Sequence, residues 1–166
     1  MILVVGEILF DLFENEKQLG GAPFNFAYHL NNFGFPVRYI SRIGNDTHGK
    51  EILNILEQHQ FDIDDIQMDD HHDTGTVIVQ LSSSGNPTFH IKPDVAYDYI
   101  DYLPEKHSTL VDKADLIYFG TLAQRSKRGF ENIQRFIKKH RSEAVCFYDI
   151  NLRPDCYSDK VILTSL

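Results

Sequence analysis

Met1-Ile2-Leu3-Val4-Val5-Gly6-Glu7-Ile8-Leu9-Phe10-Asp11 opens the chain, and Gly20-Gly21-Ala22-Pro23-Phe24-Asn25-Phe26-Ala27 follows it. Ile2–Val5 is a short apolar run, the pattern of a strand buried on both faces. The second segment is a glycine turn feeding a helix over Pro23–Phe33. Pro23 suits the first helical position, Phe26, Leu30 and Phe33 share a face, and Gly34 ends the element. A buried strand leading through a glycine turn into a helix is the unit of a layered α/β domain. Outward from it, Val37–Ile43 reads as the next strand, and Asp46 opens a helix striped by Ile52, Ile55 and Leu56. Leu116–Phe119, Phe130–His140 and Ala144–Ile150 resume the rhythm of strand, helix, strand. Thr76–Ile91 departs from it. Val77, Val79 and Leu81 alternate with Ile78 and Gln80, Ser82–Asn86 supplies a turn, and Thr88–Ile91 returns. That is a β-hairpin, expected either at an edge of the main sheet or as a small separate sheet over a ligand.

The composition narrows the class. With 166 residues, 42% hydrophobic and 24% charged, the chain has the make-up of one globular domain. No apolar stretch approaches the roughly 20 residues of a membrane span. Met1 leads directly into Ile2–Val5, with neither a basic leader nor a small-residue cleavage site. A formal charge of -8 argues against nucleic-acid binding, which relies on a basic surface. Two cysteines make no disulfide framework, so the expected setting is the cytoplasm, with a small molecule as ligand. Cys146 reads as core and Cys156 as an unactivated thiol.

Three constellations carry candidate chemistry. Gly20 and Gly21 allow close backbone approach, and Asn25 places an amide in the first helical turn, although a tight loop alone would also need the glycines. Asp11 stands among Ile8, Leu9, Phe10, Leu12 and Phe13, and a carboxylate in that company has a hydrogen-bonding task such as accepting from sugar hydroxyls. In Asp149-Ile150-Asn151-Leu152-Arg153-Pro154 a period of two sends Asp149, Asn151 and Arg153 to one side at the C-terminal end of a strand. Ligands bind at that edge of open α/β sheets, although an Asp149–Arg153 ion pair is the plainer alternative. Gly44-Asn45-Asp46-Thr47-His48-Gly49-Lys50-Glu51 imitates a phosphate loop, but Glu51 stands where the Mg²⁺-binding hydroxyl belongs, and that role is rejected. The acid-rich stretch Asp62–Asp73, with His71 and His72, lacks metal-ligand spacing and reads as a solvated loop.

Taken in order, Gly6–Asp11, Gly20–Ala27, Ile43–Gly49, Thr74-Gly75-Thr76, Gly120-Thr121-Leu122 and Asp149–Pro154 resemble the PfkB carbohydrate kinase family on its fructokinase-like branch. The resemblance spans essentially the whole chain. It implies a ribokinase-like α/β fold: a Rossmann-type parallel sheet flanked by helices, with a small β-sheet lid formed near residues 11–19 and 74–92. It implies ATP-dependent phosphorylation of a sugar hydroxyl with Mg²⁺, and a homodimer formed through the lids. It assigns the monosaccharide to Asp11, Gly20, Gly21, Asn25, Asn151 and Arg153, and offers Phe89, Ala96 and Tyr97 as lid contacts. Beyond the counterpart of Arg153, family members carry an N-x-x-E motif and a G-A-G-D whose Asp is the general base; neither follows Arg153 here. Residues 1–166 are therefore expected to be the truncated, N-terminal, sugar-side half of a kinase domain. Such a half would lack a catalytic residue and a metal site, would bind no ATP or Mg²⁺ alone, and would be inactive without the remainder. The alternatives are a non-catalytic sugar-binding or regulatory module and an inactive truncated product. An uncovered sheet edge would call for a partner, either a second copy or the missing half.

Overall fold

A computed structural model describes residues 1–81, 87–139 and 143–166; the expected turn Ser82–Asn86 and the expected helix end at His140 lie outside them. The elements are β1 (Ile2–Val5), β2 (Leu9–Leu12), β3 (Lys17–Gly20), α1 (Ala22–Asn32), β4 (Val37–Gly44), α2 (Thr47–Gln58) and β5 (Ile66–Asp69). They continue as β6 (Gly75–Leu81), β7 (Pro87–Ile91), α3 (Pro104–Lys113), β8 (Leu116–Gly120), α4 (Lys127–Lys138), β9 (Val145–Asp149) and α5 (Asp159–Ser165).

Five strands form a parallel sheet in the order β5-β4-β1-β8-β9. From β1 the chain winds outward to β4 and β5, then returns to the other side of β1 for β8 and β9. The gap between the C-terminal ends of β1 and β8 is thus the topological switch point, where an open α/β sheet has its crevice. Alternation along β1 feeds two cores. Leu3 and Val5 join Ile117, Phe119, Val111, Ile133 and Phe136 on the side of α3 and α4. Val4 joins Phe24, Ala27, Ile43, Ile52 and Leu56 on the side of α1 and α2. A second sheet, β3-β2-β6-β7, mixes antiparallel hairpin pairs with a parallel β2–β6 pair. Between the two expected placements of the Thr76–Ile91 hairpin, the structure adopts the separate small sheet.

The loop resembling a phosphate site has a structural task. Asp46 caps α2 by accepting from the Gly49 amide at 2.7 Å and accepts the Thr74 amide at 2.7 Å, while Gly44 N–H donates to Thr74 Oγ1 at 3.0 Å. These bonds fix the start of β6 to the body of the domain.

Two expectations are corrected. The acid-rich stretch is not a solvated loop: it contains β5, with Asp65 and Asp69 buried against arginines from β4. Arg38 pairs with Asp65, and Arg42 with Asp69 at 2.7 Å and Asp101 at 2.9 Å. Cys146 is not core but exposed, because β9 is an edge strand with Val145 and Phe147 also exposed. Among the described residues no helix is long and apolar enough to cross a membrane.

Candidate functional site

A cleft of about 180 Å³ lies at the switch point, between the C-terminal ends of the parallel strands and the second sheet. The strand ends make its floor. Glu7 follows β1, Gly120 ends β8 with Thr121 and Leu122 after it, and Asp149, Asn151 and Arg153 lie at and beyond the end of β9. The start of α1 makes a wall, with Gly21, Ala22 and Asn25. The second sheet makes the roof. Its register sets Asp11 beside Val77 and Val77 beside Ile91, so these three form a row across β2, β6 and β7. Leu9 and Phe89 extend the inner face. Apart from Asp11, these roof residues are apolar.

Local sequence explains why the walls close up. Gly21 has φ +110°, and a Cβ there would stand 2.5 Å from the Glu7 carbonyl oxygen, so only glycine lets α1 begin this close to β1. A Cβ on Gly20 would run into Asp11 Oδ2. The glycine pair thus has a packing role beneath Asp11, with Gly20 buried behind the cleft and Gly21 lining it.

Burial pushes the Asp11 carboxyl above its ordinary range, and the Arg153 guanidinium opposes that shift. Arg153 sits over the Phe89 ring at 5.7 Å, which joins the floor loop to the roof. The Asp149–Arg153 ion pair of the plainer alternative is not formed: Tyr118 OH donates to Asp149 Oδ2 at 2.5 Å. Thr121 Oγ1 donates to the Ile150 carbonyl at 2.6 Å and meets Tyr148 OH at 2.8 Å, holding the chain as it leaves β9. Asn151 then turns with φ +23°, a left-handed conformation that costs an asparagine little.

The structure therefore brings Asp11, Gly21, Asn25, Phe89, Asn151 and Arg153 around one cleft, with Gly20 directly behind it. Ala96 and Tyr97 are not there. After β7 the chain turns inward, and Val95, Ala96, Tyr97 and Ile100 are fully buried, with Tyr97 packed against Gly75 and beneath the Arg125 guanidinium. Their nearness to β7 in sequence does not carry them to the ligand face.

Glu7 and Thr121 are cleft residues to which the sequence reading gave no ligand role, and Asp149, grouped there with Asn151 and Arg153 at the ligand-facing strand edge, was left out of the expected sugar contacts. Glu7 is the most unusual of them. It is 3% exposed, and its Oε2 has no hydrogen-bond partner. Burial, reinforced by the Asp149 charge, raises it from 4.5 to about 7. Its position directly after the central strand of a doubly wound sheet was the signal available in the sequence.

Among the described residues no three His, Cys, Asp or Glu side chains converge to hold a metal ion.

The family model for pfkB family carbohydrate kinases matches residues 2–164. A putative sugar kinase of Pyrococcus horikoshii is 31% identical over 95% of this chain and 54% of its own length. The Salmonella typhimurium fructokinase is 27% identical over 98% of the chain and 54% of its own length. An ATP-dependent 6-phosphofructokinase of Thermoanaerobacterium thermosaccharolyticum is 26% identical over 72% and 39% respectively. The crystal structure of the Pyrococcus kinase superposes with a TM-score of 0.87 at 29% identity, covering 99% of this chain and 62% of that one. The fold is thus ribokinase-like, and the chain spans about half the length of the curated relatives it matches. On the strength of that match, this chain belongs to the pfkB family of carbohydrate kinases.

Proposed function

We propose that the chain is the sugar-binding half of an ATP-dependent carbohydrate kinase of the fructokinase type. The observation that carries this is the convergence of Asp11 from the roof, Asn25 from α1, and Asn151 and Arg153 from beyond β9 on a single cleft. That cleft has room for one monosaccharide ring and offers it hydrogen-bonding groups from three chain segments beneath an apolar roof. A sugar ring has hydroxyls around its rim and C–H groups on its faces, and this arrangement suits both. Asp11 accepts hydroxyl protons, Asn25 and Asn151 donate and accept, and the Phe89, Val77 and Ile91 side chains cover a ring face.

Phosphoryl transfer needs a positioned base and stabilisation of the moving charge. In this reading those parts, with the nucleotide and metal, come from a further portion of the enzyme, and this chain binds and orients the sugar without turnover. The roof sheet serves as the lid. Its outer face, where Ile78 is 51% exposed, is where two copies would pack, which sedimentation velocity tests directly. Free thiols at Cys146 and Cys156 suit a reducing, cytoplasmic setting.

Calorimetric titration of the chain with a panel of monosaccharides tests the central claim. Saturable binding of at least one sugar is expected, and Asp11→Ala should weaken it roughly 10- to 100-fold, the range of one or two hydrogen bonds to a charged acceptor. Undiminished binding by that variant would remove Asp11 from the site, and absence of heat with every sugar would remove the reading itself.

A further inference from the structure

Asn151 and Arg153 lie beyond the end of β9, so pairing with β8 does not fix them. Their aim into the cleft has to be set by something else. We propose that Thr121 and Tyr148 are positioning residues for the sugar: a relay from Tyr148 OH through Thr121 Oγ1 to the Ile150 carbonyl sets the turn at Asn151 and so directs Asn151 and Arg153 into the cleft. The proposal rests on the sugar-binding reading above. It adds two residues that act through the ligand-facing groups rather than on the ligand.

Thr121 directly follows β8 and is buried. Its hydroxyl has a single proton, and that proton goes to the Ile150 carbonyl at 2.6 Å. The 2.8 Å contact with Tyr148 OH then runs the other way, with the phenol donating and Thr121 Oγ1 accepting. The two bonds form a directed chain in which each polarises the next. Its origin is firmly placed. The Tyr148 ring stacks on Phe119 with centroids 5.0 Å apart and planes 11° from parallel, and Phe119 is buried in the core beside α3 and α4. Tyr118, from the core on the opposite face of the sheet, holds Asp149 Oδ2 through its hydroxyl. The end of β9 is therefore gripped from both faces at three successive residues, Tyr148, Asp149 and Ile150.

The Ile150 carbonyl belongs to the planar peptide unit that joins Ile150 to Asn151, and φ of Asn151 is the rotation that follows that plane. A bond to this oxygen therefore holds the plane from which the left-handed turn starts. Asparagine tolerates φ +23° but does not require it, so a free plane would let Asn151 relax to negative φ. Downstream, the Arg153 carbonyl accepts the Cys156 amide at 3.1 Å, and Cys156 is buried. Asn151 and Arg153 thus lie between one anchor at Ile150 and another at Cys156, and release of the first moves both side chains together. Arg153 would then also leave its place over the Phe89 ring. Neither relay residue is suited to hold the sugar itself in this way: Thr121 lines the cleft but has spent its proton on Ile150, and Tyr148 lies outside the lining.

The test is calorimetry on the full chain with D-fructose, D-glucose and D-ribose, well below the unfolding midpoint of each variant, together with NMR of the ligand-free chain. Thr121→Val keeps the shape and removes both bonds, and it should weaken the best-bound sugar roughly tenfold, the scale of one lost hydrogen-bonding group. Thr121→Ser keeps the hydroxyl and should bind within about twofold of wild type. Tyr148→Phe should weaken binding about threefold on its own and add nothing to Thr121→Val, because both act through one relay. Without sugar, the Arg153 Hε resonance, shifted by the Phe89 ring, should move toward that of a free arginine in Thr121→Val and stay in place in Thr121→Ser. A merely structural role would lower the unfolding midpoint and leave the affinity of the folded chain and the Arg153 signal as in wild type, which would overturn the proposal. An equal cost of Tyr148→Phe with and without the Thr121 hydroxyl would overturn it too. So would a loss of affinity in Thr121→Val with an unmoved Arg153 signal, which would make Thr121 a direct sugar contact. If wild type binds none of these sugars, the sugar-binding reading falls and takes the proposal with it; binding by wild type that Thr121→Val leaves unchanged overturns the proposal alone.

Discussion

Glu7 gives the fold a pH dependence that can be worked out from its surroundings. Its carboxyl titrates at about 7 in the folded chain against an ordinary 4.5 once exposed by unfolding. Between those values the folded state holds a proton that the unfolded state has released. Stability therefore falls as pH rises through this window and levels off above it. The span is 2.5 pH units, 7 minus 4.5, and at 1.36 kcal/mol per unit the total is about 3 kcal/mol. No discount for solvent screening applies, because the side chain is 3% exposed. Glu7→Gln carries no such charge. In urea unfolding, the stability of the variant minus that of wild type should climb by about 3 kcal/mol between pH 4.5 and pH 7.5, with most of the change before pH 6.5. Taking the difference cancels the titration of every other group that the substitution leaves undisturbed. A difference that stays flat across that range would refute the desolvated carboxyl.

Acid should act through a different group. Although burial works against it, hydrogen bonds from His71 and His72 together with the Arg42 charge hold Asp69 down at about 2. The contribution of Asp69 is present above its ordinary range and is lost as pH falls through about 2, so wild type should weaken there and Asp69→Ala should not share that loss. The same variant should cost about 3 kcal/mol at pH 7, because Arg42 loses one of its two carboxylates in a largely buried setting; chemical denaturation measures it. On the opposite core, Phe136 is fully buried, with ring centroids of Tyr102 at 4.8 Å and His107 at 5.1 Å. Phe136→Ala should cost about 3–5 kcal/mol in the same assay, and sugar affinity measured well below its unfolding midpoint should stay as in wild type.

Much of this was legible because the informative signals are local. An apolar run at Ile2–Val5, a glycine turn and a proline-started helix state their own structure, and that unit sets the class of the fold. The grouping of Asp149, Asn151 and Arg153 was also legible, though for another reason than pleat alternation. β9 ends at Asp149, and the left-handed turn at Asn151 carries the chain along the cleft. What sequence could not give is pairing at a distance. β2 and β3 are four-residue strands with no clear period, and they exist because β2 lies beside β6. Asp65 and Asp69 look like solvated charges until Arg38 and Arg42 are set next to them by the β4–β5 pairing. Ala96 and Tyr97 fail for the converse reason, being close to the roof along the chain and inside the core in space.

The two sheets divide the work of the cleft. Floor groups follow β1, β8 and β9, three adjacent parallel strands whose register holds Glu7, Thr121 and Asp149 at fixed separations. Roof groups belong to a small sheet tied to the body by Asp46 and Thr74 at one end and by Arg153 over Phe89 at the other. In the proposed sugar-binding reading, a ligand between them would meet a polar surface that discriminates by hydroxyl position and an apolar cover that discriminates by shape. Selectivity among sugars should therefore follow substitutions on the floor, whereas substitutions such as Phe89→Ala should weaken all accepted sugars by a similar factor. Arg153 belongs to both surfaces, so its loss should do both at once.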